Sequence, residues 1–221
     1  NQPLWWDEAE YMSMAKHFAY GLKFEFSAQR PFLFPLLAAV MFKTGLGEIG
    51  VRFFLVLVPA WLVVLISYLF VKEMFDAKIA AITALITSVS WIHLFYSMRT
   101  MTDSIGLFFG LMAFYCFWKG YINNGRRIYT LLVGLFVALS ILIRMTGVLY
   151  GLIILVFLLV VDKLKFMKSK DIWLSILIGF ITLSLLPLYD YVFFKDPLAF
   201  RTAYGTAALQ RSLDWSLLNF V

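Results

Sequence analysis

The sequence predicts an all-α protein: a bundle of helices crossing a membrane several times, with interfacial helices lying beside it. Three observations point there. Hydrophobic residues make up 62% and charged residues 14% of the 221 positions, against roughly 45–50% and about 25% in a soluble domain. Mean hydropathy is +0.86. The apolar residues also gather into stretches approaching the roughly 20 helical residues that cross a hydrocarbon core of about 30 Å, and a helix satisfies its backbone polar groups internally, as lipid demands.

Taken in order, Trp5 and Trp6 suit the headgroup zone, where amphipathic rings collect. From Asp7 to Gly21 the residues Tyr11, Met14, Ala15 and Phe18 recur at helical spacing with Lys16 opposite, and Gly21 is the expected stop. This reads as a helix lying along the membrane. A loop from Lys23 to Gln29 leads to Arg30-Pro31-Phe32-Leu33-Phe34-Pro35, whose prolines fix the angle of re-entry. A second short interfacial helix is expected over Leu36 to Phe42, ending near Gly45-Leu46-Gly47. About six spans follow, at 51–71, 79–97, 104–120, 128–143, 147–161 and 172–189, and the tail from Phe193 to Val221 is polar enough for the interface. The expected organisation is one domain: residues 1–46 as an external loop, 51–189 as the spans and 190–221 as an external tail. Asn1 to Trp6 show no signal peptide. A polar site reached without a preceding span is what a fragment lacking a first helix and a C-terminal part would show.

Charge sets the expected orientation. Lys72, Lys78, Lys119, Arg126, Arg127, Lys163, Lys165, Lys168 and Lys170 occupy alternate short loops, against Arg99 and Arg144 in the loops between. The basic loops are therefore expected in the cytoplasm. By parity Asp7, Glu8, Glu10, Arg30, Arg99, Asp103 and Arg144 converge on one external face. The formal charge of +6 thus serves topology, and no nucleic-acid partner is expected. The single cysteine, Cys116, lies in apolar sequence, which excludes an intrachain disulfide and predicts a buried thiol.

Asp7 and Glu8 diverge by about 100° on a helix, so they take separate roles. A carboxylate at a partly dehydrated interface suits a general base, although acids in a first helical turn also serve simply as caps. Glu10 faces near Asp7 or points to water, and reads as solvated rather than catalytic. Arg30 is placed to fork onto a phosphate, with snorkelling to headgroups the plainer alternative, as for Lys43 and Arg52. Arg99 and Asp103, four residues apart, either pair to fix a turn or join the site, and Asp103 alternatively caps the next helix. Arg144 interrupts apolar sequence, where charge costs roughly 2.5–3.5 kcal/mol unless answered; it should face a cavity, a carboxylate or a phosphate. His17 and His93 belong to no cluster with metal-ligand spacing, so no cofactor or metal is expected. A divalent cation between Asp7 or Glu8 and a phosphate is the one arrangement left open. No Gly-rich phosphate loop or nucleophile elbow occurs.

These residues carry a resemblance. Asp7-Glu8-Ala9-x-Tyr11-x-x-x-Ala15, then Gly21, then Arg30-Pro31-x-Leu33-x-Pro35, then the Arg99-x-x-x-Asp103 hairpin, resemble the GT-C membrane glycosyltransferases, in the branch of protein O-mannosyltransferases and aminoarabinose transferases. Phe32 departs from the family's second proline. The resemblance implies a GT-C-like fold and an inverting transfer, on the extracytoplasmic side of a cell or endoplasmic-reticulum membrane, from a dolichyl- or undecaprenyl-phosphate sugar to a hydroxyl of a protein, lipid or glycan acceptor. It implies Asp7 as base, Glu8 and Asp103 as orienting groups, and Arg30, Arg99, Arg144 and Tyr11 as substrate-binding groups, with membrane lipids as neighbours. The alternatives are a transporter or flippase for a lipid-linked substrate, disfavoured because the charges collect at one rim, and a catalytically silent lipid-binding subunit of the same fold.

Overall fold

A computed structural model describes residues 6–23, 30–199 and 202. Among them every regular element is helical: α1 (Trp6–Tyr20), α2 (Leu33–Lys43), α3 (Gly47–Met74), α4 (Ala77–Val89), α5 (Trp91–Ser97), α6 (Asp103–Ile122), α7 (Arg127–Ile143), α8 (Met145–Val161) and α9 (Lys170–Phe194). Trp5, residues 24–29 of the first loop, and residues 200, 201 and 203–221 of the tail lie outside the described set.

Helix α1 stops where expected. Gly21 takes φ +70° and donates its N–H to the His17 carbonyl at 2.8 Å, a left-handed cap that glycine adopts without steric cost. Helix α2 starts earlier than expected, at Leu33, because Pro35 falls within its first turn, where a missing N–H costs nothing. The first expected span, 51–71, begins earlier, at Gly47. Helix α3 runs unbroken for 28 residues, widened into π turns at Val51–Leu57 just ahead of Pro59, whose ring would collide with the Leu55 carbonyl in a regular turn. Arg52, expected to snorkel, instead pairs with Glu48 at 3.0 Å and reaches the Met98 carbonyl at 3.5 Å.

The expected span at 79–97 is a bent pair. Asp76 caps α4, its Oδ1 accepting from the Lys78 and Ile79 N–H groups at 2.8 and 2.9 Å. At Ser90 the backbone turns extended (φ −61°, ψ 127°), and α5 departs at 57°. Helices α3, α6 and α9 are each long and apolar enough to cross a membrane, and α4 with α5 makes a fourth if the bent pair is one span. Helix α7 has 17 residues, about 25 Å at 1.5 Å per residue, which is short of a hydrocarbon core. Helix α9 ends five residues beyond the expected 189, at Phe194.

Two apolar clusters hold the ends of the bundle. One joins Tyr11, Met12 and Ala15 of α1 to Phe34, Ala38 and Phe42 of α2, with Leu55, Ile105 and Ile143 beneath. The other gathers Cys116, Phe117, Val133, Leu158 and Ile172, and Cys116 is the buried free thiol expected of it. Helices α7 and α9 cross almost in backbone contact: a Cβ on Gly134 would lie 1.8 Å from the Ser175 carbonyl oxygen, and Ser175 Oγ accepts the Gly134 N–H at 2.8 Å. Beside the second cluster, Lys119 pairs with Glu73 at 3.0 Å, Tyr121 donates to Asp162 at 2.6 Å and Arg127 pairs with Asp171 at 2.7 Å. Basic and acidic groups here knit the end that carries the lysine-rich loops.

Candidate functional site

The opposite end of the bundle holds the acidic and guanidinium groups. Asp7 and Glu8 occupy the first turn of α1, and their divergence sends them to different environments. Glu8 turns inward and is only 1% exposed. Its Oε1 accepts the Thr100 N–H at 2.8 Å and the Thr100 hydroxyl at 3.3 Å, while Oε2 pairs with Arg99 at 3.4 Å. Arg99 lies over the Phe95 ring at 5.5 Å. Glu8 thus ties α1 to the hairpin between α5 and α6, a buried carboxylate whose partners keep its charge tolerable. Asp7 faces outward, its side chain 43% exposed, and pairs with Arg30.

Arg30 is held from several directions. Its Nε donates to Glu10 at 3.0 Å, its Nη2 to Asp7, and its guanidinium lies 5.6 Å from the centre of the Tyr11 ring. Glu10, expected to be solvated, is instead a partner of Arg30 with 16% of its side chain exposed. Asp7, Glu10 and Tyr11 fall three and four residues apart on α1, one face of a helix, so a single guanidinium reaches all three. Tyr11 is 5% exposed, and Thr102 of the hairpin is 2% exposed. Burial pushes the Tyr11 phenol above its ordinary range, against the opposing pull of Arg30.

Asp103 opens α6 and pairs with Arg144, which sits in the extended turn joining α7 to α8 (φ −154°, ψ 129°). Arg99 and Asp103, four residues apart in sequence, therefore serve different partners. Arg144 meets a carboxylate beside a cleft, as its interruption of apolar sequence demanded. The Arg144 turn is positioned by backbone bonds from Arg144 N to the Ser140 carbonyl at 2.9 Å and from Gly147 N to the Arg144 carbonyl at 2.8 Å, and the Ser140 hydroxyl donates to the Gly106 carbonyl at 3.0 Å. The Glu8–Thr100 bond, with Tyr11 and Ile105 in one apolar cluster, places the start of α1 beside the start of α6.

A cleft of about 500 Å³ opens beside the Asp103–Arg144 pair. Its floor is α6, and its walls come from the α4–α5 bend and from the start of α8, with His93, Tyr96, Ser104 and Tyr150 among the lining residues. Asp7, Glu8 and Arg30 are not part of its wall. Among the described residues no three His, Cys, Asp or Glu side chains gather as metal ligands.

Every residue expected at the site is thus located: Asp7, Glu8, Tyr11, Arg30, Arg99, Asp103 and Arg144 lie at one end of the bundle in three linked ion-paired groups. Thr100, Thr102, Glu10 and Ser104 belong there too. The hairpin sequence Thr100-Met101-Thr102 offered two buried-capable hydroxyls as its signal, but only the approach of α1 gives Thr100 its carboxylate partner.

A helical bundle with apolar spans and a polar rim beside a cleft defines a membrane protein. The family model described as dolichyl-phosphate-mannose-protein mannosyltransferase matches residues 29–187. The chain belongs to that family and is a membrane glycosyltransferase of mannosyltransferase-like type. Arg30, Arg99, Asp103 and Arg144 fall inside the matched stretch, whereas Asp7, Glu8 and Tyr11 precede it. No curated protein and no solved structure matches the chain.

Proposed function

We propose that the protein transfers a sugar, with inversion, from a polyprenyl-phosphate donor to a hydroxyl acceptor on the extracytoplasmic side of the membrane. The observation carrying this is the gathering of Asp7, Arg30, Asp103 and Arg144 at one end of the bundle, next to a cleft large enough for a small molecule. The lysine-rich loops lie at the far end, and the positive-inside rule makes that end cytoplasmic.

In this reading the acceptor hydroxyl attacks the anomeric carbon from the face opposite the phosphate. Its proton passes to Asp7, the carbon–oxygen bond to phosphate breaks with its electron pair leaving on the phosphate, and guanidinium charge stabilises that departing anion. Arg30 now answers Asp7, so a donor phosphate that draws Arg30 toward itself frees the carboxylate at the moment it is needed. Asp103 holds Arg144 at the cleft. Glu8 acts at one remove, fixing the hairpin through Thr100.

The test is incubation of the full chain in lipid nanodiscs with radiolabelled polyprenyl-phosphate sugars and membrane extract, following which donor is consumed and what becomes labelled. Asp7→Asn should abolish transfer while leaving the melting temperature unchanged. Wild-type turnover by that variant rejects Asp7 as base.

A further inference from the structure

Ser104 differs from several serines and threonines of the apolar helices. Thr83, Thr87, Thr182 and Ser184 each give their proton to a carbonyl three or four residues back, the usual outlet for such groups in apolar helices. The Ser104 hydroxyl meets no partner among the described residues, although the residue is only 3% exposed. A buried hydroxyl without a partner is costly, and this one belongs to a residue lining the cleft.

We propose that the cleft seats the sugar ring of the lipid-linked donor, with the Ser104 hydroxyl bonded to one ring hydroxyl; this rests on the donor class proposed above. Rotation about one side-chain bond among its staggered positions re-aims the hydroxyl without moving the helix. The charge of the wall favours a neutral polyol over a free anion. Among the described residues of the wall, Asp103 is the acid and Arg144 the guanidinium, and they answer each other. Ser90, Tyr96, Thr146 and Tyr150 add groups that both donate and accept, which is what a ring of hydroxyls requires. The Tyr150 ring is fixed in place: it presses on α6 where a Cβ on Gly110 would lie 2.3 Å from it. The ring therefore offers a rigid apolar face beside the polar groups, the usual composition of a small-molecule pocket.

The experiment measures binding of radiolabelled polyprenyl-phosphate mannose to the full chain in nanodiscs, and of the same polyprenyl phosphate without the sugar, for wild type and Ser104→Ala. Losing one hydrogen bond should weaken the sugar-bearing lipid about tenfold and leave the bare lipid phosphate unchanged. The melting temperature should stay level or rise, because the variant removes an unpartnered buried hydroxyl. Equal weakening of both lipids would place the hydroxyl on the phosphate and overturn the proposal. Unchanged binding of both, or weakening matched by a lower melting temperature, would make Ser104 a packing residue and overturn it as well. If wild type binds neither lipid, the donor class itself fails, and the proposal with it.

Discussion

Glu8 of α1 and Thr100 of the α5–α6 hairpin, 92 positions apart, are joined by a 2.8 Å hydrogen bond from backbone N–H to carboxylate. This bond and the Arg99 pair beside it are shut away from water. Glu8→Ala removes the acceptor of Thr100 and the carboxylate that pairs with Arg99, and breaking a buried charge pair typically costs about 3 kcal/mol or more. Glu8→Gln keeps an oxygen for Thr100 and should lose less. Thermal unfolding in nanodiscs should rank them wild type, Gln, Ala; equal melting temperatures for all three would show that Glu8 does not hold the hairpin.

The Asp103–Arg144 pair is half-exposed, with side-chain exposures of 21% and 42%, so solvent screening limits its worth to stability to about 1 kcal/mol. Arg144→Leu should lower the melting temperature slightly, and Asp103→Asn with Arg144→Leu should recover it. Neither variant should transfer sugar. A double variant that regains activity along with stability would remove both residues from the chemistry.

Gly134 tests the crossing of α7 and α9. Alanine there drives its Cβ into the Ser175 carbonyl and forces α7 from α9, at about 1–3 kcal/mol or more. Gly151→Ala is the control, because its Cβ would meet only the Val137 side chain, at 3.1 Å. Melting temperatures should fall sharply for the first and little for the second.

Tyr11 predicts an alkaline limit. Its folded-state pKa is raised above the ordinary phenol value, chiefly by burial, so the folded chain keeps a proton that the unfolded chain gives up. The associated stability is complete below about pH 10 and is lost as pH rises through the folded-state value. The melting-temperature gap between wild type and Tyr11→Phe should therefore narrow between pH 9 and 11. A constant gap would mean that Tyr11 does not titrate with unfolding.

Much of this architecture can be read from local chemistry. The Gly21 stop, the buried Cys116 and the need of Arg144 for a carboxylate or a cavity follow from residue type and neighbours. The gathering of Asp7, Arg30, Asp103 and Arg144 at one end follows from counting apolar stretches and placing the lysines. What sequence could not supply was set by distant contacts. Glu10 reads as solvated until Arg30 arrives from 20 positions away. The break at Ser90 has no proline or glycine to announce it. Arg99 and Asp103 look like a local pair because their spacing allows one, yet Glu8 and Arg144 claim them from other helices.

Because Arg30, Arg99 and Arg144 each already hold a carboxylate, the rim presents little net attraction to passing anions. An acidic phospholipid headgroup would have to displace a carboxylate to gain a foothold. Occupancy is then reserved for a molecule that repays the exchange through further contacts, and discrimination against the surrounding lipid begins with charges that are already spoken for.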